Sequence, residues 1–244
     1  MAKFVAVLVV LLAAGGLCLM GYKGLAQSDF FQVAEIEIEG CQRLSKEEVL
    51  ELSGVDIHSN LVGLDRRMLR ERLADHAWIK KVSLDIEWSG RFTIRIVERE
   101  PVALVNVNGY LHYIDRGAEV FAAVGPGDET DFPIITGLAG DDREQEDNTP
   151  LAEALLLIKY AGKTKSSSLP LQNISEISIS NDDLRVFLVD RPFPIHLGRN
   201  RIYEKYKRLS KVLYWLYKRK EFNRVAYIHV DYLADKVLVG RETG

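Results

Sequence analysis

The N-terminal run from Phe4 to Tyr22 constrains this chain more than any other feature, because it holds nineteen residues without a charge. A helix rises about 1.5 Å per residue, so this run spans roughly 28 Å, close to the hydrocarbon thickness of a bilayer. Lys23 follows at the level where such a helix meets the lipid headgroups. We therefore predict a transmembrane helix over residues 4–22, behind a short cytoplasmic tail of residues 1–3.

A cleaved signal peptide is the alternative interpretation of this segment, because Gly24-Leu25-Ala26 places small residues near a potential cleavage point. The apolar region of a signal peptide normally covers about 7–15 residues, and this run is longer. A large domain is translocated largely regardless of its charge, so we expect the N-terminus in the cytoplasm and the body outside it.

The rest of the sequence has the composition of a water-soluble body. With 32 Lys and Arg against 35 Asp and Glu, the chain has no overall positive field that would favour nucleic acid. Cys41 is alone outside the apolar run, so no disulfide is expected within the soluble part. The five histidines show no metal-ligand spacing. We expect no metal and no cofactor.

The segment after the apolar run predicts the element order β-α-α-β-β. Residues 35–39, E-I-E-I-E, alternate as in a strand with one wet face. Ser45 and Asp65 are each placed as the N-cap of a helix, and two alternating runs then flank Ser89-Gly90 as in a hairpin. Each element has one apolar face, which favours two helices packed on one face of a three-stranded sheet.

These elements carry motifs that together resemble a POTRA domain, in the form found in the bacterial cell-division family FtsQ/DivIB. The POTRA motifs are F-x-V-x-x-I-x-I-x-G at 31–40, N-L-x-x-L-D at 60–65, L-R-E-R-L at 69–73, W-I-K-x-V at 78–82 and V-E-x-x-P-V-A at 97–103. The resemblance continues through Y-L-H-Y-I-D at 110–115, F-P-I-I-T-G at 132–137 and P-I-H-L-G-R at 194–199. It implies an α+β protein with a POTRA domain over residues 31–99.

Residues 101–241 are expected to form a second unit, which the resemblance identifies as an FtsQ-type β domain. We predict a mostly antiparallel sheet with flanking helices, since Asn108-Gly109 between two apolar runs is a strong hairpin signal. Leu209, Leu213 and Leu216 form the apolar stripe of the most conspicuous helix. The predicted helices cover 151–161 and 201–220, and the predicted last strands cover 225–232 and 236–240.

The helix at 201–220 is strongly basic and rich in aromatic residues. Ten basic and two acidic residues lie between Arg199 and Arg224. This pattern is typical either of a contact with a membrane surface or an anionic polymer, or of a solvated helix face, and the solvated face is the more common case. The interleaved tyrosines would also suit stacking on nucleic acid, but a location outside the cytoplasm argues against that ligand.

The resemblance implies a non-enzymatic scaffold of the division complex, located in the cytoplasmic membrane at the septum. In this family the partners FtsB and FtsL dock at the C-terminal strand region, and the protein helps to recruit and regulate septal peptidoglycan synthesis. The positions implied here are Tyr232, Ala234, Val237, Leu238, Val239 and Gly240. Without the resemblance, the more common case is a strand at a sheet edge where Val237 and Val239 merely fill a core face and Lys236 blunts the edge. The family's aromatic residue near the strand's end is replaced by Arg241.

A second docking surface is expected on the second POTRA helix, because POTRA units generally act as docking surfaces. Its candidate residues are Arg66, Arg67, Arg70 and Arg72. The ordinary role of such a charge run is a solvated helix face.

Two other classes of function remain open from the sequence. A POTRA-bearing chaperone or outer-membrane assembly or transport component usually has tandem POTRA units or a barrel, and this sequence has one unit and no series of barrel strands. An extracytoplasmic enzyme would need a catalytic constellation, and the sequence has no nucleophile elbow, phosphate-binding glycine loop or zinc spacing. The acidic pairs Asp141-Asp142 and Asp182-Asp183 are adjacent in sequence, so their side chains point apart. We predict no catalytic residue.

Overall fold

A computed structural model describes residues 4, 12–17, 20, 32–57, 59–61, 63–87, 89–138, 150–163, 169–180, 183–233 and 236–241. The chain divides into two compact units, Met1–Arg99 and Glu100–Gly244. Across these described ranges, no helix is both long enough and apolar enough to cross a bilayer. Most of the apolar run at 4–22 lies outside the described residues, so the transmembrane helix stays a prediction.

The first unit contains a three-stranded sheet and two helices. The sheet order is β1-β3-β2, with β1 parallel and β2 antiparallel to the central β3. This confirms the predicted element order and the α+β class. The elements are β1 (Glu35–Glu39), α1 (Lys46–Ser53), α2 (Arg66–Ala74), β2 (Ile79–Ile86) and β3 (Arg91–Glu98).

Local chemistry fixes the helix ends of the first unit as the sequence predicts. Ser45 Oγ accepts a hydrogen bond from the backbone N–H of Glu48 at 3.1 Å, which caps α1. Gly54 ends α1 with a φ of 66°, in the left-handed region that favours glycine. Asp65 caps α2 by accepting from two backbone N–H groups. The buried face of α2, which includes Leu69, packs into the same core as β3.

The second unit is built on one sheet of nine strands. Its order is β12-β11-β10-β9-β8-β7-β4-β5-β6. The elements are β4 (Pro101–Val107), β5 (Tyr110–Asp115), β6 (Val120–Ala123), β7 (Ile134–Thr136), α3 (Pro150–Lys163), β8 (Ile174–Ile179), β9 (Leu184–Leu188), β10 (Arg191–His196), α4 (Ile202–Arg219), β11 (Val225–Leu233) and β12 (Lys236–Arg241). Short 3₁₀ turns at Leu171–Asn173 and Phe222–Arg224 lead into β8 and β11.

Two helical crossovers explain why this sheet is mixed. Strand β7 is parallel to β8, with α3 between them in the chain, and β10 is parallel to β11, with α4 between them. Parallel neighbours need such a crossover, whereas antiparallel neighbours need only a turn. The pairing of β4 with β7 is also parallel, and the other pairings of this sheet are antiparallel. The predicted sheet is therefore mostly antiparallel, but it contains parallel pairs that were not predicted.

The core of the second unit lies between the sheet and the two helices. The predicted stripe of α4, Leu209, Leu213 and Leu216, is buried at 0–1 % exposure. Helix α3 packs beside α4, where the rings of Tyr160 and Tyr203 are 4.9 Å apart. The strand residues in this core include Ile177, Val186, Ile195, Ile228 and Val230.

Candidate partner-binding edge

Strand β12 forms one edge of the nine-stranded sheet. It pairs with β11 on one side, and the described part of the chain places no strand on its other side. An edge strand directs alternate backbone N–H and C=O groups outward, where an incoming strand can pair with them. Four of the predicted site residues, Val237, Leu238, Val239 and Gly240, lie on this strand.

Side chains on the inner face anchor β12 to the body. Val237 and Val239 are partly buried and pack against the core of the second unit. In the ladder with β11, Val239 is opposite Ile228 and Leu238 is opposite His229. A bulge interrupts the ladder between His229 and Leu233 of β11, so the pairing of the two strands is irregular at Val237. The strand is therefore held by two half-buried valines and one ladder.

Gly240 leaves space for a neighbouring ring and has no positive φ that would call for glycine. It lies opposite Tyr227, and a Cβ at Gly240 would overlap the Tyr227 ring. The ring thus covers the strand where a side chain is missing, as aromatic residues do beside edge glycines. Sequence reasoning included Gly240 but missed Tyr227. The alternation in β11, which places Tyr227 and His229 on the same face, is the signal that could have found it.

The C-terminal end of β11 adds an exposed apolar surface beside β12. Tyr232 is 59 % exposed and Leu233 is 53 % exposed. Tyr232 was a predicted site residue, whereas Leu233 was not. The predicted residue Ala234 lies outside the described residues. At the other end of the edge, an ion pair of 2.7 Å between Arg241 and Glu221 ties the last residue of β12 to the segment before β11.

Two histidines are stacked on the sheet next to the edge. His196 of β10 is directly opposite His229 of β11, and their rings lie 4.0 Å apart with an angle of 2° between the planes. Nδ1 of His196 lies 2.6 Å from a carboxylate oxygen of Asp183. Burial lowers the pKa of His229, and the neighbouring His196 lowers it further. Sequence spacing did not reveal this pair, because a parallel crossover separates the two strands.

An ion pair fixes the end of β11 to α4. The Lys205 ammonium lies 3.0 Å from the Asp231 carboxylate, and the lysine side chain is 5 % exposed while the aspartate is 55 % exposed. The Lys205 ammonium also donates to the backbone carbonyl of Arg199. Next to it, Glu153 of α3 accepts from the Arg199 guanidinium and from the backbone N–H of Asn200. These contacts tie the connection between β10 and α4 to α3 and to the end of β11.

The four predicted POTRA arginines do not share one face of α2. All are exposed, but at 3.6 residues per turn Arg66 and Arg70 align, with Arg67 on the adjacent side. Arg67 pairs with Glu71 at 2.8 Å. Arg72 lies on the other side of the buried stripe from Arg66 and Arg70, and its guanidinium lies beside Gly54 at the end of α1. Any single partner on this helix would contact Arg66, Arg67 and Arg70 rather than all four.

The geometry of this site is suited to strand pairing. Within the described ranges, no group of three or more His, Cys, Asp or Glu side chains is arranged to hold a metal ion. The edge instead offers backbone groups, two exposed apolar side chains and a glycine covered by an aromatic ring. The chain thus combines a β-α-α-β-β unit with a larger sheet domain whose last described strand lies at the sheet edge.

Comparison with known proteins identifies the family. Residues 31–99 match the family model described as POTRA domain, FtsQ-type, and residues 103–231 match the model described as Cell division protein FtsQ/DivIB, C-terminal. The chain belongs to the FtsQ/DivIB family of cell division proteins, as the sequence motifs indicated. The second match ends at residue 231, before β12.

Curated relatives agree with this assignment over most of the chain. The Cell division protein FtsQ of Anaeromyxobacter sp. (strain K) is 32 % identical over 225 residues, which are 91 % of this chain and 74 % of that protein. That of Geotalea daltonii is 28 % identical over 222 residues, 89 % of this chain and 78 % of the relative. That of Geobacter sp. (strain M21) is 29 % identical over 222 residues, covering 89 % and 79 %.

Proposed function

We propose that this protein is a non-enzymatic scaffold of the bacterial division complex. In this proposal, residues 4–22 anchor it in the cytoplasmic membrane at the septum, and the two units lie on the extracytoplasmic side. The edge formed by β12 and the end of β11 docks FtsB and FtsL. Through these contacts the protein recruits and regulates septal peptidoglycan synthesis without carrying out bond chemistry itself.

The observation that supports this proposal most is that β12, the last described strand of this FtsQ/DivIB chain, lies at the edge of its sheet. A partner that adds a strand there gains main-chain hydrogen bonds, each contributing about 0.5–1.5 kcal/mol net. Leu238 alternates with the core-facing valines and so lies on the opposite face of the sheet, where Tyr227 and His229 also lie. These side chains supply the specificity that backbone pairing lacks.

The proposed POTRA docking face is the side of α2 that carries Arg66, Arg67 and Arg70, with Arg72 separated from it. Its exposed cations favour an acidic surface on another membrane protein of the division complex. The alternative function in outer-membrane assembly loses its support, because the matched POTRA model is the FtsQ type.

A pair of adjacent proline substitutions tests the docking edge. Neighbouring residues of a strand direct their N–H groups to opposite sides. Of Leu238→Pro and Val239→Pro, which lie where β12 pairs regularly with β11, one therefore removes an outward donor and the other a donor to β11. We expect the outward variant to weaken FtsB binding by about ten-fold or more with little change in thermal stability. The measurement is the Kd of the full chain for the extracytoplasmic part of FtsB, together with a melting curve for each variant.

Two matched controls separate edge docking from a general effect. Phe121→Pro, in β6 at the opposite edge of the same sheet, should leave FtsB affinity unchanged. The double variant Arg66→Glu with Arg70→Glu should also bind FtsB normally. When this variant is produced as a fluorescent fusion, it should recruit other division proteins to the septum less well. Unchanged FtsB affinity in both folded β12 variants would reject the edge, and normal recruitment by the arginine variant would reject the POTRA face.

A further inference from the structure

Helix α4 presents a line of aromatic and basic side chains away from the core. Five residues spaced four, four, three and four apart follow one another along its outer side, since three or four residues make one turn. All five are exposed, with Tyr203 at 46 % and Tyr214 at 59 %. We call this line the basic–aromatic stripe: Tyr203, Lys207, Lys211, Tyr214 and Lys218.

Cations lie against the exposed rings on and beside this stripe. The Lys207 ammonium is 4.2 Å from the centre of the Tyr203 ring, and the Arg219 guanidinium is 4.2 Å from the Trp215 ring. Trp215 is 42 % exposed. Pairs of this kind keep large apolar rings at the surface with a positive charge beside each ring.

The charge of the stripe differs from that of an ordinary solvated helix face. A solvated face usually mixes both signs, and the stripe contains no acid. The one acidic residue of α4, Glu204, is neutralised by ion pairs with Arg201 and Arg208. The opposite side of α4 is buried against the sheet, so the stripe is held rigidly and cannot turn inward.

We infer that the basic–aromatic stripe binds the surface of an anionic phospholipid bilayer. Tyrosine and tryptophan favour the headgroup region, where an apolar ring and a polar tip are both accommodated. Each lysine or arginine near an anionic surface strengthens binding about five-fold, so the three stripe lysines together contribute about a hundred-fold. The contact needs the lipid surface within about 8–10 Å, since salt screens it beyond that distance.

This contact goes beyond the proposed division role and rests on it only for the membrane anchor at residues 4–22. The apolar side of α4 is occupied by the core, so the helix would rest on the headgroups rather than insert among the acyl chains. Tethering of the chain to the same membrane raises the effective concentration of the stripe at the lipid surface. Even a weak contact is then formed for a large fraction of the time.

Lysine acylation of the full chain, reconstituted with lipid vesicles, tests this inference. The vesicles are phosphatidylcholine alone or phosphatidylcholine with phosphatidylglycerol, and mass spectrometry reads the acylation rate at each lysine. We expect acylation of Lys207, Lys211 and Lys218 to fall several-fold with phosphatidylglycerol and to recover in high salt. Lys46 and Lys80, exposed in the other unit, are internal controls and should react equally in both vesicles.

Quenching of tryptophan fluorescence by phospholipids that carry a nitroxide on the headgroup provides the second readout. We expect quenching of wild-type protein in anionic vesicles, and its loss both in Trp215→Phe and in a variant with the three stripe lysines changed to Gln. A matched variant, Lys46→Gln with Lys80→Gln and Lys81→Gln, should keep it.

Three results would overturn the inference: equal acylation of the stripe in both vesicles, an equal fall at the control lysines, or protection by isolated peptidoglycan but not by lipid. The last would assign the stripe to a glycan polymer. Every substitution is at an exposed position, so melting curves should match the wild type.

Discussion

The ion pair between Lys205 and Asp231 is unequal, and this inequality predicts opposite outcomes for its two partners. The lysine side chain is 5 % exposed, and the aspartate is 55 % exposed. Asp231→Asn leaves a positive charge buried with reduced compensation. Lys205→Met removes that buried charge and leaves Asp231 free to be hydrated. We therefore expect Asp231→Asn to be the more damaging change, although both break the same contact.

The expected magnitudes follow from burial. Removing one partner of a fully buried pair costs about 3–5 kcal/mol, because the remaining charge is uncompensated. Solvent around the half-exposed Asp231 and the Arg199 carbonyl that still accepts from Lys205 reduce this, so Asp231→Asn should cost about 1.5–3 kcal/mol. In Lys205→Met the thioether replaces the aliphatic stem, and the cost should stay within about 1 kcal/mol.

Thermal unfolding of the full chain in mild detergent measures this difference. Trp215 lies in the second unit and reports its unfolding, whereas Trp78 and Trp88 lie in the first. A unit of this size shifts its Tm by about 3 °C per kcal/mol. Asp231→Asn should therefore lower the Tm by roughly 5–9 °C and Lys205→Met by less than about 3 °C. The double variant should resemble Lys205→Met, since no buried charge remains.

The result that refutes this reasoning is a Lys205→Met variant as unstable as Asp231→Asn. That outcome would mean that the attraction between the two charges, and not the burial of one of them, determines the energy of the contact.

Two further predictions concern backbone space and pH. Gly40→Ala should destabilise the first unit by more than about 3 kcal/mol, because Gly40 has a φ of 89° and a Cβ there would overlap a backbone carbonyl of β3. Gly109→Ala, at a φ of 90° with open space around it, should cost only about 1 kcal/mol in urea titrations, and equal losses would contradict the overlap. The lowered pKa of His229 means that the unfolded chain takes up its proton first, so the stability of the second unit should fall as pH drops below about 6.5. In melting curves against pH, His229→Gln should reduce this fall and His112→Gln should not; an unchanged fall in His229→Gln would exclude this histidine as its cause.

Local features of the fold were predictable from the sequence, because local chemistry decides them. The caps Ser45 and Asp65 act within three residues, and the hairpin at Asn108-Gly109 needs only its own turn. The leucine stripe of α4 follows from helical periodicity alone. For these elements, the preference of a short segment agrees with the packing of the whole unit.

The order of the strands was not predictable, because it depends on pairings between distant residues. Strand β7 has only three residues, too few to show a period, and its place between β4 and β8 comes from parallel pairing with both. The stacking of His196 on His229 has the same origin, since the α4 crossover brings β10 and β11 into register.

The candidate edge was predicted in part. The residues of β12 were identified through the family resemblance, and an edge blunted by Lys236 was already expected there. The sheet order places β12 at the edge beside β11. Tyr227 and Leu233 were missed because the alternation in β11 shows which residues share a face, whereas the pairing of Tyr227 with Gly240 depends on the register between the two strands. The four arginines proposed as a POTRA docking surface do not share one face, since Arg72 lies beside Gly54 at the end of α1.

Strand β12 pairs with another strand on one side only, so its local stability depends on whether a partner is bound at its other side. Segments with few buried contacts open locally at a free energy well below that of the whole domain. A ligand that closes the outer row of backbone groups stabilises only the closed form, by an amount that grows with ligand concentration. Resistance of the C-terminus to carboxypeptidase should therefore titrate with the partner, so that this last strand reports occupancy as well as providing the binding surface.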